Sequence, residues 1–113
     1  MAAEERTVKY YQTRKGLQPF REWRDRISDK TTKSAIDARI TRLRSGNFGK
    51  SEPIGEGASE SKIDLGPGYR IYYGTDDATI ILLHGGDKST QEGDIALAKQ
   101  FWHDYRARKK QST

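Results

Sequence analysis

"LGPGYRIYYGTDDATIILLHGG" (residues 65–86) predicts the centre of a β-sheet. Two glycines around a proline indicate a sharp turn at its start. A tyrosine-rich run (69–75) and an apolar run (78–86) then follow, and both are typical of strands. The short polar segment between the two runs predicts that they pair as an antiparallel hairpin.

One cation, Arg70, interrupts the first of these strands. Alternate residues of a strand face opposite ways, so Arg70 and Tyr72 share one face, and the other carries Tyr69, Ile71 and Tyr73. We expect the latter face to pack under helices and Arg70 to lie on the open face. There it pairs with a neighbouring acid such as Asp64, or it grips a phosphate with its guanidinium fork.

The remaining periodicities predict an α+β fold. The predicted strands are 6–13, 61–65, 69–75 and 78–86, and the predicted helices cover 16–27, 28–47 and 89–110. Ser28 or Asp29 is the expected N-cap of the second helix, and Ser89 and Glu92 have capping-box spacing before the third. Residues 47–60, with three glycines and a proline, are typical of a long loop. The order is β-α-α-β-β-β-α, with a mainly antiparallel four-stranded sheet packed against helices.

Composition indicates one small, basic domain over residues 1–113, with flexible ends at 1–5 and 109–113. The 21 lysines and arginines exceed the 16 acids, which gives a net charge of +5. Cations concentrate in residues 21–44 and in the tail "RARKK", and this favours a polyanionic partner. Cysteine is absent, which excludes disulfides and thiolate chemistry. Without an apolar leader or a membrane-length stretch, we expect a cytoplasmic protein with no membrane partner.

"HGGDKST" (84–90) joins the last strand to the last helix. Glycines there permit close approach of a ligand, and the helix N-terminus beside Lys88 and Ser89 favours an anion. An ordinary strand-to-helix turn explains the same residues. His84 is either structural or a proton-transfer group, and with His103 as the other histidine we predict no metal site and no cofactor.

"LGPGYRIYYG", followed by the apolar strand and "GGDKSTQEGDIALAKQFWHDY", resembles the RelE/ParE superfamily of toxin–antitoxin toxins. The similarity is greatest to its HigB-like, phage Gp49-related branch, described as addiction module killer proteins. It implies a small toxin with a curved antiparallel sheet, neutralised by a cognate antitoxin that carries a helix-turn-helix domain. Operator DNA would then be bound through the antitoxin.

The resemblance implies two alternative activities. Many members cut mRNA on the ribosome without a metal, whereas the ParE branch poisons DNA gyrase. A third possibility is an accessory nucleic-acid-binding protein without toxicity. We expect a ribosome-dependent mRNA endonuclease that inhibits translation.

Site residues carried over by motif are Arg70 for phosphate contact and Lys88 as a second phosphate clamp or acid. A position that some members fill with a catalytic tyrosine holds Asp94 here. Asp94, His84 or a lysine with a lowered pKa is the candidate base. The residues predicted to bind RNA are Lys62, Tyr72, Ser89, Arg39 and Arg42.

Overall fold

Five strands and three α-helices form the α+β fold within residues 5–111, which the computed structural model describes. In chain order the elements are β1 (Thr7–Tyr10), α1 (Pro19–Arg26), α2 (Lys30–Arg44), β2 (Ser51–Gly55), β3 (Ala58–Ile63), β4 (Tyr69–Asp76), β5 (Thr79–Asp87), a 3-10 turn (Lys88–Thr90) and α3 (Gln91–Gln111). The α+β class predicted from the sequence is confirmed.

The five strands form one mixed sheet in the order β1-β5-β4-β3-β2. Strands β2 to β5 are an antiparallel meander, and β1 lies parallel to β5 at the edge. The predicted hairpin of β4 and β5 is therefore confirmed. The predicted number of four strands is wrong, because β2 lies inside the segment expected to be a loop.

A tight turn allows residues 51–60 to form strands within the segment expected to be a loop. Glu56 and Gly57 both have positive φ (58° and 92°), and they separate the paired residues Gly55 and Ala58. Two positive φ values in a two-residue connection match the twist of antiparallel strands. The glycines that indicated a loop thus supply a hairpin turn, and β3 begins three residues earlier than predicted.

Both faces of the sheet are covered. One face packs on α1 and α2 through a cluster that includes Phe20, Ile36 and Ile71. The other packs on α3 through Tyr72, Ala98 and Trp102. The expectation that Arg70 lies on an open face is wrong, since Arg70 shares its face with Tyr72 and is only 9% exposed.

The helix starts agree in part with the sequence signals. Asp29 caps α2, and its carboxylate accepts a hydrogen bond from the Thr32 amide at 3.0 Å. The predicted capping box of Ser89 and Glu92 is wrong. Asp87 is the capping residue before α3, and its carboxylate accepts from the Ser89 amide at 2.8 Å.

The chain ends expected to be flexible are described in part. Residues 1–4 and 112–113 lie outside the described residues. Lys109 lies in the last turns of α3, where it forms an ion pair with Asp76 on β4. No helix among residues 5–111 is long and apolar enough to span a membrane.

Candidate functional site

The candidate site lies on the α3 face of the sheet, where polar side chains form two rows across three strands. Lys62, Arg70 and Gly86 occupy neighbouring register positions on β3, β4 and β5. The adjacent row consists of Glu60, Tyr72 and His84. The meander thus gathers residues that are 24 positions apart in the chain, while the first turns of α3 lie at the same end of this face.

Arg70 and Lys88 meet at the glycine turn between β3 and β4. The Arg70 Nη1 donates to the Gly68 carbonyl at 3.0 Å. A Cβ placed on Gly68 would lie 3.7 Å from Arg70 Nη1 and 3.8 Å from the Lys88 Cβ. Gly68 has φ 82°, a conformation that glycine adopts without strain. The structure therefore brings the Arg70 guanidinium and the base of the Lys88 side chain to the same glycine, with Arg70 buried and Lys88 exposed.

Glu60 is the acid beside Arg70. Its Oε2 lies 3.8 Å from the Arg70 Nε, and its Oε1 lies 4.0 Å from the Lys62 Nζ. Gln91 donates to both carboxylate oxygens at 3.2 Å. Asp64, the acid suggested from the sequence, instead pairs with Lys50. Glu60 is 3% exposed, so this buried carboxylate offsets the repulsion between two cations on adjacent strands.

Sequence reasoning missed Glu60 because it placed this residue in the loop 47–60. The sequence nevertheless contains a pattern that places Glu60 on a strand. Glu60, Lys62 and Asp64 alternate with apolar or small residues, and this period of two extends the strand toward its true start.

His84 and Asp94 form a hydrogen-bonded pair at the start of α3. The His84 Nε2 and the Asp94 Oδ1 are 2.9 Å apart, and the Thr90 hydroxyl donates to the Asp94 Oδ2 at 2.5 Å. Gly86 makes room for this carboxylate, since an added Cβ would lie 1.8 Å from the Asp94 Oδ2. The structure thus brings together the two residues predicted as alternative bases, and they form one hydrogen-bonded pair.

Tyr72 lies between the Arg70 and His84 groups and is fully buried. Its ring stacks on that of His84, with centroids 6.3 Å apart. Burial raises the pKa of Tyr72, and the negative charge of Glu60 raises it further. Three buried polar atoms along this face have no hydrogen-bond partner among residues 5–111: Arg70 Nε, Tyr72 Oη and His84 Nδ1. Since buried polar atoms are nearly always paired, this group of side chains is unusual and is a candidate for function.

Ser89 is committed to a local contact. Its amide and its hydroxyl both bind the Asp87 carboxylate, at 2.8 and 2.5 Å. The Ser89 hydroxyl lowers the pKa of Asp87, and the positive charge of Arg70 adds to this effect. A carboxylate therefore occupies the N-terminal position where the sequence predicted a bound anion.

Arg39 and Arg42 lie away from this cluster. Arg39 extends from α2 to β3, where its Nη1 donates to the Ser61 hydroxyl at 2.9 Å and to the Lys62 carbonyl at 2.6 Å. Burial lowers the pKa of Arg39, and the charge of Arg42 lowers it further. Arg42 is exposed on α2. Both belong to the opposite face of the sheet from Arg70.

Comparison with known proteins shows a relative. An uncharacterized protein of Haemophilus influenzae is 44% identical to the chain over 81 residues, which are 71% of this chain and 82% of the relative. The chain belongs to the family of this protein. No family model matches the chain, and no solved structure matches it.

For this family member, the arrangement combines two kinds of chemistry on one face of the sheet. Arg70 and Lys88 supply positive charge beside a glycine turn, and His84 with Asp94 supplies a pair that can hold or transfer a proton. No group of three or more His, Cys, Asp or Glu side chains within residues 5–111 is placed to hold a metal ion.

Proposed function

We propose that the protein is the toxin of a type II toxin–antitoxin module, in the HigB-like branch of the RelE/ParE superfamily, and that it cleaves mRNA on the ribosome. The proposed core is β1, α1, α2, β3, β4, β5 and α3, in the order β-α-α-β-β-β-α, with β2 as an added edge strand. The partners are then mRNA, the ribosome and a cognate helix-turn-helix antitoxin in the cytoplasm.

The observation that carries this proposal is the convergence of Arg70, Lys88 and the His84–Asp94 pair on one end of one face. Arg70 lies at the start of β4 and Lys88 directly follows β5, and both side chains lie beside Gly68. Phosphate recognition requires such cations, and proton transfer requires an acid–base side chain that a partner holds in position. Both requirements are met within a few residues of each other.

The proposed reaction is internal transesterification. The ribose 2′-oxygen attacks the adjacent phosphorus, the bond from phosphorus to the 5′-oxygen breaks, and the products are a 2′,3′-cyclic phosphate and a 5′-hydroxyl. A base takes the proton of the 2′-hydroxyl, and an acid returns one to the leaving oxygen. Arg70 stabilises the added charge on the phosphorane. The His84–Asp94 pair is our choice for the base and Lys88 for the acid or second clamp.

Arg70 must be held in place to perform this role. The carbonyl of Gly68 and the carboxylate of Glu60 fix its guanidinium within the sheet. A preorganised cation stabilises charge as it develops without reorganisation at the moment of reaction. We therefore propose Glu60 as a positioning residue for Arg70.

A second function, poisoning of DNA gyrase without cleavage, is favoured by the burial of the same face. Arg70 is 9% exposed and already has a carbonyl and a carboxylate partner, while Tyr72 is fully buried. Side chains that are buried and already paired are what a purely structural role of this face requires. The two functions make different predictions for the fate of mRNA.

The test is expression of the full chain in bacteria, as wild type and as the double variant Arg70→Ala, Lys88→Ala, with mapping of mRNA 5′ ends during growth arrest. We expect cuts phased with ribosome position that disappear in the double variant. The matched control is Arg26→Ala, Lys33→Ala, which removes two cations of the α1–α2 hairpin and should keep the cuts. Growth arrest with intact mRNA and trapped gyrase–DNA complexes would replace the endonuclease by the gyrase poison.

A further inference from the structure

We propose that Gln91 is a positioning residue for the phosphate site at Arg70. Its amide holds the Glu60 carboxylate out of hydrogen-bond distance of the guanidinium, so that Arg70 keeps a free charge for an RNA phosphate. Because the ligand is an RNA phosphate, the inference rests on the proposed function. It adds the reason that an arginine beside a buried acid can still bind a second anion.

The Glu60 carboxylate takes its hydrogen bonds from a neutral amide. Gln91 is the first residue of α3, and its Nε2 donates to both carboxylate oxygens at 3.2 Å. The Arg70 Nε at 3.8 Å and the Lys62 Nζ at 4.0 Å are both beyond hydrogen-bond distance. Lys62 instead donates to Glu52 at 3.2 Å. Among the described residues, Gln91 is therefore the only hydrogen-bond donor to this buried acid.

The Arg70 guanidinium has an unused donor as a result. Its Nη1 donates to the Gly68 carbonyl at 3.0 Å, but its Nε is buried and has no hydrogen-bond partner among residues 5–111. An unpaired N–H next to a buried carboxylate is unusual, because a shift of about 1 Å would join the two in a charge-assisted hydrogen bond. Gln91 accounts for the gap, since its two bonds hold the carboxylate toward α3.

The two residues before Gln91 hold acids in the same way. The segment "STQ" (89–91) supplies three neutral donors, each bonded to one carboxylate: Ser89 to Asp87, Thr90 to Asp94 and Gln91 to Glu60. Burial raises the pKa of Tyr72 most, the three carboxylates raise it further and Arg70 lowers it, so the four charges surround one side chain. Among the described residues, none of the three acids forms a hydrogen bond with Arg70. The start of α3 thus keeps the acids of this face from neutralising the guanidinium directly.

The phosphate is expected at the end of the guanidinium that faces the glycine turn. Arg70 Nη1 lies there beside Gly68, and the exposed Lys88 adjoins the same glycine. A hydrogen bond from Arg70 Nε to Glu60 would draw the guanidinium toward β3 and away from Lys88. Keeping Glu60 at a distance therefore preserves both the charge and the place of Arg70.

A purely structural role for Gln91 is the alternative, in which it ties α3 to β3 and its loss lowers stability. The positioning role predicts a different sign. Without Gln91 the buried Glu60 must find another donor, and the unpaired Arg70 Nε is the nearest. The lost amide bonds are then replaced by one charge-assisted bond, which also satisfies the guanidinium. Stability is kept while the affinity for phosphate falls.

The test replaces Gln91 by methionine, which has a similar length and helix propensity but no donor. The first readout is the Arg70 Nε–H signal in NMR spectra of the full chain without RNA. We expect its proton to move downfield in Gln91→Met, because Nε then bonds Glu60. The urea midpoint should equal or exceed that of the wild type. Gln100→Met, at an exposed glutamine of the same helix, is the matched control and should change neither.

The second readout is the affinity for a fluorescent RNA oligonucleotide whose 2′-hydroxyls are methylated, so that it cannot be cleaved. Gln91→Met should bind about 10-fold more weakly, which corresponds to one hydrogen bond to a charged group. The double variant Glu60→Gln, Gln91→Met should recover most of this affinity, because no carboxylate remains to pair with Arg70. Such a recovery is expected only if Gln91 acts through Glu60.

An unmoved Arg70 signal, a lower urea midpoint or an unchanged RNA affinity in Gln91→Met would overturn the inference. A double variant that binds as weakly as Gln91→Met would overturn it too. Arg70→Ala separates these results from failure of the proposed function. If it binds the RNA as tightly as the wild type, the phosphate site itself is wrong, whereas weak binding by Arg70→Ala and normal binding by Gln91→Met refute the role of Gln91 alone. A wild type that binds through Arg70 but makes no cuts refutes cleavage alone.

Discussion

Gly86→Ala should separate Asp94 from His84 and destabilise the protein, because no space exists for a methyl group at this position. The added Cβ would lie 1.8 Å from the Asp94 Oδ2, 2.8 Å from its Cγ and 3.0 Å from the Thr90 Oγ1. Asp94 cannot yield cheaply, since His84 holds one oxygen and Thr90 the other. The start of α3 must then move away from β5.

The expected cost is that of overpacking a well-packed interior, about 1–3 kcal/mol in the free energy of unfolding. With an m-value of about 1.5 kcal/mol/M in urea, the unfolding midpoint should fall by roughly 1–2 M without a change in m. Loss of the carboxylate contact should also alter the imidazole nitrogen signals of His84 in NMR spectra. Cleavage, if the proposed function holds, should decrease together with these signals.

Gly93→Ala is the matched control. Gly93 lies in the first turn of the same helix, and nothing lies within 4 Å of an added Cβ there. Alanine is the better helix former by up to about 1 kcal/mol, so this variant should be as stable as the wild type or more stable. If Gly86→Ala unfolds at the wild-type urea midpoint and keeps the His84 signals, the reasoning about this close contact is wrong.

Three more predictions concern stability. Tyr11 and Tyr105 each donate to an aspartate, and burial is the main reason that their pKa values rise from 10.0 to about 12. The stabilisation that the two protonated tyrosines contribute is complete below pH 10 and is lost between pH 10 and 12. The urea midpoint of the wild type should therefore fall more steeply over this range than that of the variant Tyr11→Phe, Tyr105→Phe. Removing either partner of the buried pair Glu60 and Arg70 by alanine should cost about 3 kcal/mol, and the double variant should cost less than the sum, as a double-mutant cycle by urea unfolding will show. Asp29→Ala removes the cap of α2 and should cost about 1 kcal/mol, whereas Asp29→Ser should cost little by the same measurement.

Local signals were sufficient for much of the secondary structure. The helical periods that predicted α1, α2 and α3, the tyrosine-rich and apolar strands, and the cap at Asp29 depend on residues close together in the chain. Their conformations follow from propensity and from hydrogen bonds that span a few residues. The pairing of β4 with β5 was likewise predictable because a short connection joins them.

The candidate site could be predicted only in part. The motif residues Arg70 and Lys88 are indeed neighbours, and His84 is paired with Asp94. Glu60 was missed because its strand was read as a loop. Ser89 was assigned to an anion site that the Asp87 carboxylate fills, and Tyr72 was assigned to RNA binding although its side chain is fully buried.

By itself the sequence determined the three helices, the strands β4 and β5 and which residue types carry charge, because these properties are local. Only the tertiary structure decided that β1 lies parallel to β5, that α3 covers the Arg70 face, and that Glu60 stands beside Arg70. Strand order and the covering of a face depend on how the whole chain buries its apolar surface, which contacts between distant residues determine. The sequence shows plainly that Arg70 is a cation within a strand. Its burial next to an acid is a property of the assembled sheet.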